Sequence, residues 1–260
     1  MIVDIQFSPG NTNWPTLRSA AREAEARGYG AVFALDHLAG VQCGGASMIE
    51  TFTLLGALAE ATTTIELGTM TVNVYNRQIG TLVSSIASVA SVSGRQVLFG
   101  LGAGSAPGTT WAEEHDAVGA DLEPDVAVRH ARVRAAIDLA RHQWRDDRDE
   151  RFATFPLPRP TPTIIVGANS VALSRLAGEC ADGVNVQWRH PRRAEFVDAY
   201  EAVVGDRPFL RTTYTTFQPE LLDPDDAERI AMREQGFDRL VLAVWDDLAD
   251  WLALEGRVNV

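Results

Sequence analysis

Residues 163–187 read TIIVGANSVALSRLAGECADGVNVQ, and this stretch decides the fold class. It opens with a short apolar run that predicts a buried strand over 163–166. Apolar residues then recur at helical spacing over 171–180, and a second strand is predicted over 182–187. A strand, a helix and a second strand in this order predict a parallel βαβ unit.

The same alternation continues in both directions along the chain. Further strands are predicted over 2–7, 31–36, 64–70, 97–101, 208–218 and 238–244. Further helices are predicted over 14–27, 50–61, 79–93, 123–145, 191–204, 224–235 and 246–255. The helix over 224–235 is expected to be capped by Asp223 with Pro224 at its first position, and the proline-rich residues 155–162 to form an extended linker.

Eight strand–helix units in 260 residues predict an α/β fold, a single (β/α)8 TIM barrel that covers residues 1–260 as one domain. The alternative is a doubly wound open sheet. No dinucleotide-binding glycine fingerprint follows the first predicted strand, which favours the barrel.

The composition indicates a globular protein and argues against several functions. Hydrophobic residues make up 46% of the chain and charged residues 22%, as in proteins with a buried core. The formal net charge of −12 argues against binding to nucleic acid or to an anionic membrane surface. Lysine is absent, so no lysine can serve as a base. Without a signal-type N-terminus or a long apolar run, we expect a cytoplasmic protein.

Polar residues after the predicted strands are the candidates for a site, because parallel barrels carry their active sites at that end. Asp36 and His37 end the second strand, and an imidazole can exchange protons near neutral pH, so both are candidate catalytic residues. The alternative is that Asp36 caps the loop backbone beside a surface histidine. Arg77, after the third strand, could pair with an acid or phosphate or be structural.

Two turns with small residues are candidate ligand contacts. Residues 100–108 read GLGAGSAPG, and such a run lets the backbone approach a ligand closely. Gly167, Ala168, Asn169 and Ser170 lead directly into a helix, whose free amide groups can bind an anion. A plain cap by Ser170 or Asn169 would explain the same residues without a ligand.

The remaining polar candidates follow the sixth strand and could line a pocket or simply form a loop: Asn185, Gln187, Trp188, Arg189 and His190. His115, His130 and His142 are interpreted as solvated helix or loop residues. No set of His, Asp and Glu residues has the spacing of a metal site, so no metal is expected.

Several of these segments occur together in one family. They are residues 30–38, 50–69, 93–104, 113–119, 165–170 and 176–185. In these segments the chain resembles the bacterial-luciferase-like flavin and deazaflavin enzymes, and is most similar to the members that use coenzyme F420. The resemblance is clear over residues 1–190, and the remainder agrees only in the order of strands and helices.

The resemblance implies that flavin mononucleotide (FMN) or the deazaflavin coenzyme F420 binds at the barrel mouth, with F420 the expected cofactor. It implies a bulge with a non-proline cis peptide near Met70 and Thr71, and a cofactor phosphate at residues 167–170. In F420-dependent members a histidine like His37 assists proton movement. The residues that the resemblance assigns to the cofactor are Asp36, Met70, Thr71, Asn73, Ala103, Gly104, Gly167, Ala168, Asn169 and Ser170.

The expected function is therefore hydride transfer between F420 and a small organic substrate. An FMN-dependent monooxygenase is the alternative, and a non-catalytic flavin-binding protein is the second alternative. The family implies a homodimer, for which the helices over 50–61 and 79–93 are candidate interfaces. Two departures are Ser105, where sugar-phosphate dehydrogenases of the family have glutamate, and the short segment from Trp144 to Pro162 before the fifth strand, which predicts a more open pocket.

Overall fold

The computed structural model describes residues 1–245, 248–254 and 258. Eight parallel strands close into a barrel in the order β1 to β8, which confirms the (β/α)8 prediction and excludes the open sheet. The strands are β1 (Ile2–Phe7), β2 (Ala31–Ala34), β3 (Glu66–Asn73), β4 (Val97–Gly102), β5 (Thr163–Ala168), β6 (Gly183–Gln187), β7 (Leu210–Thr216) and β8 (Arg239–Val244). The helices are α1 (Trp14–Arg27), α2 (Thr51–Ala61), α3 (Ile79–Ser93), α4 (Glu113–Ala117), α5 (Val126–Gln143), α6 (Val171–Cys180), α7 (Arg193–Val204), α8 (Ala227–Glu234) and α9 (Leu248–Ala253).

Five strands end at other residues than the sequence predicts: β2, β3, β4, β5 and β7. β5 runs two residues further than predicted, so Gly167 and Ala168 belong to the strand. β2 ends at Ala34, two residues early, and the carboxylate of Asp36 binds Asn73 at the end of β3 and Arg77 after it. β3 runs to Asn73, because the strand continues after a register shift between Thr69 and Val72.

The start of α8 corrects a predicted cap. Asp223 and Pro224 lie in the turn before the helix, and Asp226 is the N-cap. The reason is local hydrogen bonding, since Asp226 Oδ1 accepts from the amides of Glu228 at 2.9 Å and Arg229 at 3.1 Å.

Most of the other helices are shorter than predicted, while α1, α3 and α6 have the predicted bounds. α5 begins at Val126 because Asp125 caps it, accepting from the amide of Ala127 at 2.8 Å. The predicted last helix corresponds to α9, while residues 246, 247 and 255 of that prediction lie outside the described residues. The linker over 155–162 has no helix, as predicted. α4 was not predicted.

The core has an inner and an outer part. The inner part fills the barrel with buried side chains from five strands: Ala31, Phe33, Met70, Leu98, Ile165 and Val241. The outer part packs the other faces of the strands against the helices. At the amino ends of the strands, the buried carboxylate of Asp4 on β1 accepts from Arg239 on β8 at 2.7 Å by two hydrogen bonds. This ion pair joins the strands that close the barrel.

Candidate active site

A cavity with two adjoining lobes opens at the carboxyl ends of the strands. The first, here called the β7 lobe, has a volume of about 270 Å³ and is lined by Gln6, Leu35, Asp36, His37, Met70, Thr71, Gly167, Ala168, Asn169, Asn185, Tyr214 and Trp245. The second, the α4 lobe, has a volume of about 190 Å³ and is lined by Asp36, His37, Thr71, Asn73, Gly102, Ala103, Gly104, Ser105, Glu114, Gly167 and Asn169. The two lobes together bring nine of the ten residues assigned to the cofactor to one place; the tenth, Ser170, begins α6 beside them.

Asp36 lines both lobes, but its carboxylate is engaged by the protein. Its oxygens accept from the guanidinium of Arg77 at 2.7 and 2.8 Å, and one also accepts from the amide of Asn73 at 3.0 Å. Although burial alone would lower the pKa of Arg77, its ion pairs with Asp36 and Glu50 raise it. These bonds favour the interpretation that Asp36 holds the loop backbone, and they give Arg77 a structural role. A direct catalytic part for Asp36 stays a prediction.

His37 faces the cavity with a carboxylate behind it. Its Nδ1 lies 3.0 Å from Oε1 of Glu114, while Oε2 of Glu114 accepts from the amides of Leu38 at 2.8 Å and Ala39 at 3.0 Å. Burial would raise the pKa of the Glu114 carboxyl, but His37 and the two amides lower it overall. The ring of Trp111 lies 5.5 Å from that of His37. The arrangement leaves Nε2 of the imidazole for a ligand.

The bulge of β3 forms one wall of the cavity. The peptide between Met70 and Thr71 is cis, as the resemblance implies, and the carbonyl of Met70 accepts from the side-chain amide of Gln6. Asn73 accepts from the amide of Tyr75 at 2.9 Å. Gly104 has a φ of 71°, and a Cβ there would lie 2.4 Å from Oδ1 of Asn73, so the turn after β4 can approach Asn73 only with glycine.

The start of α6 follows β5, whose end lines both lobes of the cavity. Ser170 is the N-cap, and its Oγ accepts from the amide of Leu173 at 3.2 Å. The first backbone bond of the helix is donated by Ser174, so the amides of Val171 and Ala172 have no partner within the helix. The cap named as the alternative explanation is thus present, and it is made by Ser170 and not by Asn169. The amides of Val171 and Ala172 are still available, so the anion site stays a prediction.

Some predicted polar residues lie elsewhere. Asn185, within β6, lines the β7 lobe, whereas Gln187, the last residue of β6, is exposed. Trp188 is buried against Phe237, and Arg189 pairs with Glu228 at 2.8 Å. His190 accepts from the amide of Arg192 at 3.1 Å. The loop after β6 is therefore mostly structural.

The interpretation of His115 as solvated is wrong. Its side chain is fully buried, and Nε2 lies 2.7 Å from Oδ1 of Asn76 and 3.1 Å from Nδ2 of Asn73. His142 is exposed as expected, while His130 is half-buried and burial lowers its pKa.

Five residues of the cavity were not predicted as site residues: Gln6, Leu35, Glu114, Tyr214 and Trp245. Gln6 places a polar group in a mostly apolar strand, which is a usable signal. Tyr214 lies in a strand rich in threonine, where no single polar residue stands out. Glu114 belongs to a short acidic segment that the family resemblance includes, but nothing local indicates its contact with His37.

The described residues include no group of three or more His, Cys, Asp and Glu placed to hold a metal ion. Within that same part of the chain, no helix is both long and apolar enough to cross a membrane.

Comparison with curated proteins gives moderately similar relatives. The 5,10-methylenetetrahydromethanopterin reductase of Methanolobus tindarius is 29% identical over 201 residues, which are 75% of this chain and 56% of that protein. The F420-dependent hydroxymycolic acid dehydrogenase of Mycobacterium tuberculosis is 27% identical over 192 residues, 70% of this chain and 51% of that protein. The chain spans about half the length of the curated relatives it matches.

Solved structures share the fold. An F420-dependent secondary alcohol dehydrogenase in complex with an F420–acetone adduct gives a TM-score of 0.73 at 16% identity, covering 96% of both chains. The monooxygenase RslO1 from Streptomyces bottropensis gives 0.63 at 20% identity, covering 91% of this chain and 75% of that one. The sequence model of the family described as "Luciferase-like monooxygenase" matches residues 4–242, and the chain therefore belongs to this family.

Proposed function

We propose that this chain is an oxidoreductase that binds coenzyme F420 at the barrel mouth and transfers a hydride to or from a small organic substrate. The observation that carries the proposal is the meeting of His37, the Met70–Thr71 bulge and the start of α6 at one cavity. F420-dependent enzymes among the relatives and structural neighbours support the choice of cofactor.

The residues present fit a planar cofactor that carries a phosphate. A Cβ at Gly167 would lie 2.5 Å from Cγ2 of Thr71, so the bulge of β3 and the end of β5 approach closely where both line the two lobes. We assign the phosphate to residues 167–170, where the free amides at the start of α6 favour an anion. We assign the ring to the space between the bulge and the turn at Ala103 and Gly104.

Bound F420 would supply a carbon atom that accepts or gives up a hydride. The protein's own part is position and proton transfer. His37 is the residue that exchanges the substrate proton, because its ring faces the cavity and its Nε2 has no bond to the described residues. Asp36 and Arg77 hold the turns after β2 and β3 together, which fixes the entrance.

The substrate we infer is uncharged. In the β7 lobe, away from the assigned cofactor, the polar groups are the amides of Gln6 and Asn185 and the phenol of Tyr214. Burial raises the pKa of Tyr214, so its hydroxyl remains a neutral donor. Arg77 is already paired with two carboxylates. A neutral molecule with an oxygen function matches these groups better than a sugar phosphate.

A flavin-dependent monooxygenase is the second candidate. It is favoured by the fold shared with RslO1, and the same start of α6 would hold the FMN phosphate. Reduced flavin reacts with oxygen whereas a deazaflavin reacts poorly, so oxygen uptake distinguishes the two. A flavin-binding protein without catalysis would bind cofactor and show neither oxygen uptake nor turnover.

The test is a fluorescence titration of the apo protein with F420 and with FMN. We expect F420 to bind more tightly, and Ala103→Trp, which fills the α4 lobe, to weaken binding by roughly tenfold or more (about 1.4 kcal/mol). Arg233→Ala, an exposed change on α8, is the control and should bind as the native protein does. Preference for FMN would favour the monooxygenase, and binding of neither would refute both.

We also propose that the chain acts in the cytoplasm as a homodimer through α2 and α3. A cleft of about 530 Å³ between these helices is lined by small and apolar side chains such as Gly56, Ser85, Val89 and Val92. Light scattering of the purified protein measures its mass, and Val92→Glu, at an exposed position on α3, should shift it toward the monomer.

A further inference from the structure

Glu114 lines the cavity although it belongs neither to a strand nor to the turn that directly follows one. It lies on α4, in the segment after β4, and contacts the turn after β2. Its side chain is 2% exposed, whereas the neighbouring Glu113 is exposed. A carboxylate in such a place needs donors for its oxygens, and the turn after β2 supplies three of them.

The donors determine which nitrogen of His37 carries the hydrogen. The two amides of Leu38 and Ala39 hold Oε2, and the pKa of Glu114 is lowered, so the group is an ionised carboxylate that can only accept hydrogen bonds. Nδ1 of His37, 3.0 Å from Oε1, must then be the donor. In the neutral ring, Nε2 carries the lone pair.

α4 is itself held in place by a second contact. His115, the next residue, is fully buried with Nε2 2.7 Å from Oδ1 of Asn76. Asn76 in turn donates to the backbone oxygen of Asp36 at 2.9 Å. The turns after β2 and β3 therefore hold α4 in place, and Glu114 on α4 in turn binds the turn after β2.

We propose that Glu114 is a positioning residue that keeps His37 in the Nδ1–H tautomer, with Nε2 presented to the cavity as a proton acceptor. A proton acceptor at this place suits a substrate with a hydroxyl group, an uncharged alcohol. The kinetic consequence rests on the function proposed above, whereas the tautomer can be measured without any cofactor.

The direct test is nitrogen-15 NMR of the apo protein with labelled histidine, recorded at a pH high enough for the imidazole ring to be neutral. The signals of His37 are assigned by their loss in His37→Gln. We expect the native protein to show the Nδ1–H pattern, and Glu114→Gln to change it toward Nε2–H or a mixture. Glu113→Gln, the same change one residue away at an exposed position, should leave the pattern unaltered.

A native protein with the Nε2–H pattern would overturn the proposal, even if no variant folds. An unchanged pattern in a folded Glu114→Gln would overturn it as well. With F420 and an alcohol, we expect this variant to lose roughly 10²-fold in kcat with little change in the KM for F420. If the native protein binds F420 but turns over no alcohol, the assignment of an alcohol substrate fails while the tautomer result stands. If it binds no F420, the proposed function fails, and the tautomer result again stands.

Discussion

Asp36 and Glu114 bring two buried carboxylates to the turn after β2, and each has donors of a different kind. Asp36 accepts from a guanidinium, while Glu114 accepts from an imidazole and two backbone amides. A guanidinium keeps its charge at every physiological pH, whereas an imidazole can gain or lose a proton. The first pair is suited to holding the turn, and the second to proton transfer.

The Asp36–Arg77 pair should be important for stability. Asp36→Asn leaves a mostly buried guanidinium short of a counter-charge, and we expect it to lower the free energy of unfolding by about 3 kcal/mol. Glu50→Gln removes the other carboxylate that pairs with Arg77. The side chain of Glu50 is 46% exposed. This control should cost less than about 1 kcal/mol. Urea unfolding followed by circular dichroism gives both values, and equal losses would contradict the structural role of Asp36.

Sequence reasoning located His37 but could not identify its partner. Asp36 is adjacent in the chain and is the obvious candidate, yet the carboxylate at Nδ1 comes from Glu114, 77 residues further on. Such a contact depends on how the segment after β4 folds back across the mouth. Neither hydrophobic periodicity nor a local motif contains that information.

At the scale of elements, α1 is tied to the start of β3 by one side chain. Glu25 accepts from the amides of Thr63, Thr64 and Ile65, in the turn that leads into β3. Burial alone would raise its pKa, but these bonds lower it to about 2 from 4.5. The ionised form is thus preferred in the folded state.

This shift predicts a pH-dependent contribution to stability. Because the folded pKa is the lower one, the contribution is fully present above the unfolded value of 4.5 and is lost as the pH falls toward about 2. The difference in unfolding free energy between the native protein and Glu25→Gln should therefore shrink on acidification. Glu23→Gln, on the same helix, is the control, and a difference that stays constant with pH would refute the assignment.

The element boundaries show where sequence signals compete. Asp223 with Pro224 and Asp226 are both acceptable helix starts, and the structure uses the second because Asp226 reaches two amides of the first turn. The same ambiguity existed at α6, where Asn169 and Ser170 both fitted as the cap and the structure uses Ser170. The sequence therefore indicates where a helix starts, but not which of two neighbouring polar residues caps it.

Across the whole molecule, the two ends of the barrel have different tasks. Asp4 and Arg239 form their ion pair at the amino ends of the strands, and the cavity lies at the carboxyl ends. Burial alone would lower the pKa of Arg239, but Asp4 and Glu66 raise it. This ion pair between β1 and β8 therefore lies at the opposite end of the barrel from the cavity.

The buried carboxylate of Asp4 allows a test of whether stability at the amino ends of the strands is independent of ligand binding at the carboxyl ends. Asp4→Asn should lower the free energy of unfolding by about 3–5 kcal/mol, since it leaves Arg239 largely buried beside only Glu66. At temperatures where the variant is folded, its affinity for F420 should match that of the native protein. Loss of F420 affinity along with stability would show that the two ends are coupled.

The architecture was predictable because every unit repeats the same alternation, so an error in one boundary leaves the count of eight unchanged. The contents of the cavity were predictable only in part. The turns after β2, β4 and β5 have visible signals in Asp36–His37 and in their glycines. Tyr214 and Trp245 come from the last third of the chain, where the resemblance is weak and a single aromatic residue has many possible roles.

The contact between Thr71 and Gly167 limits how this cavity can change during evolution. A side chain at position 167 would collide with the methyl group of Thr71, so position 167 is not free to vary while threonine stands at 71. Descendants of this sequence that acquire alanine at 167 should carry glycine or serine at 71, and the intermediate with alanine and threonine should be rare. We therefore expect substitutions at these two positions, which are nearly a hundred residues apart, to occur together.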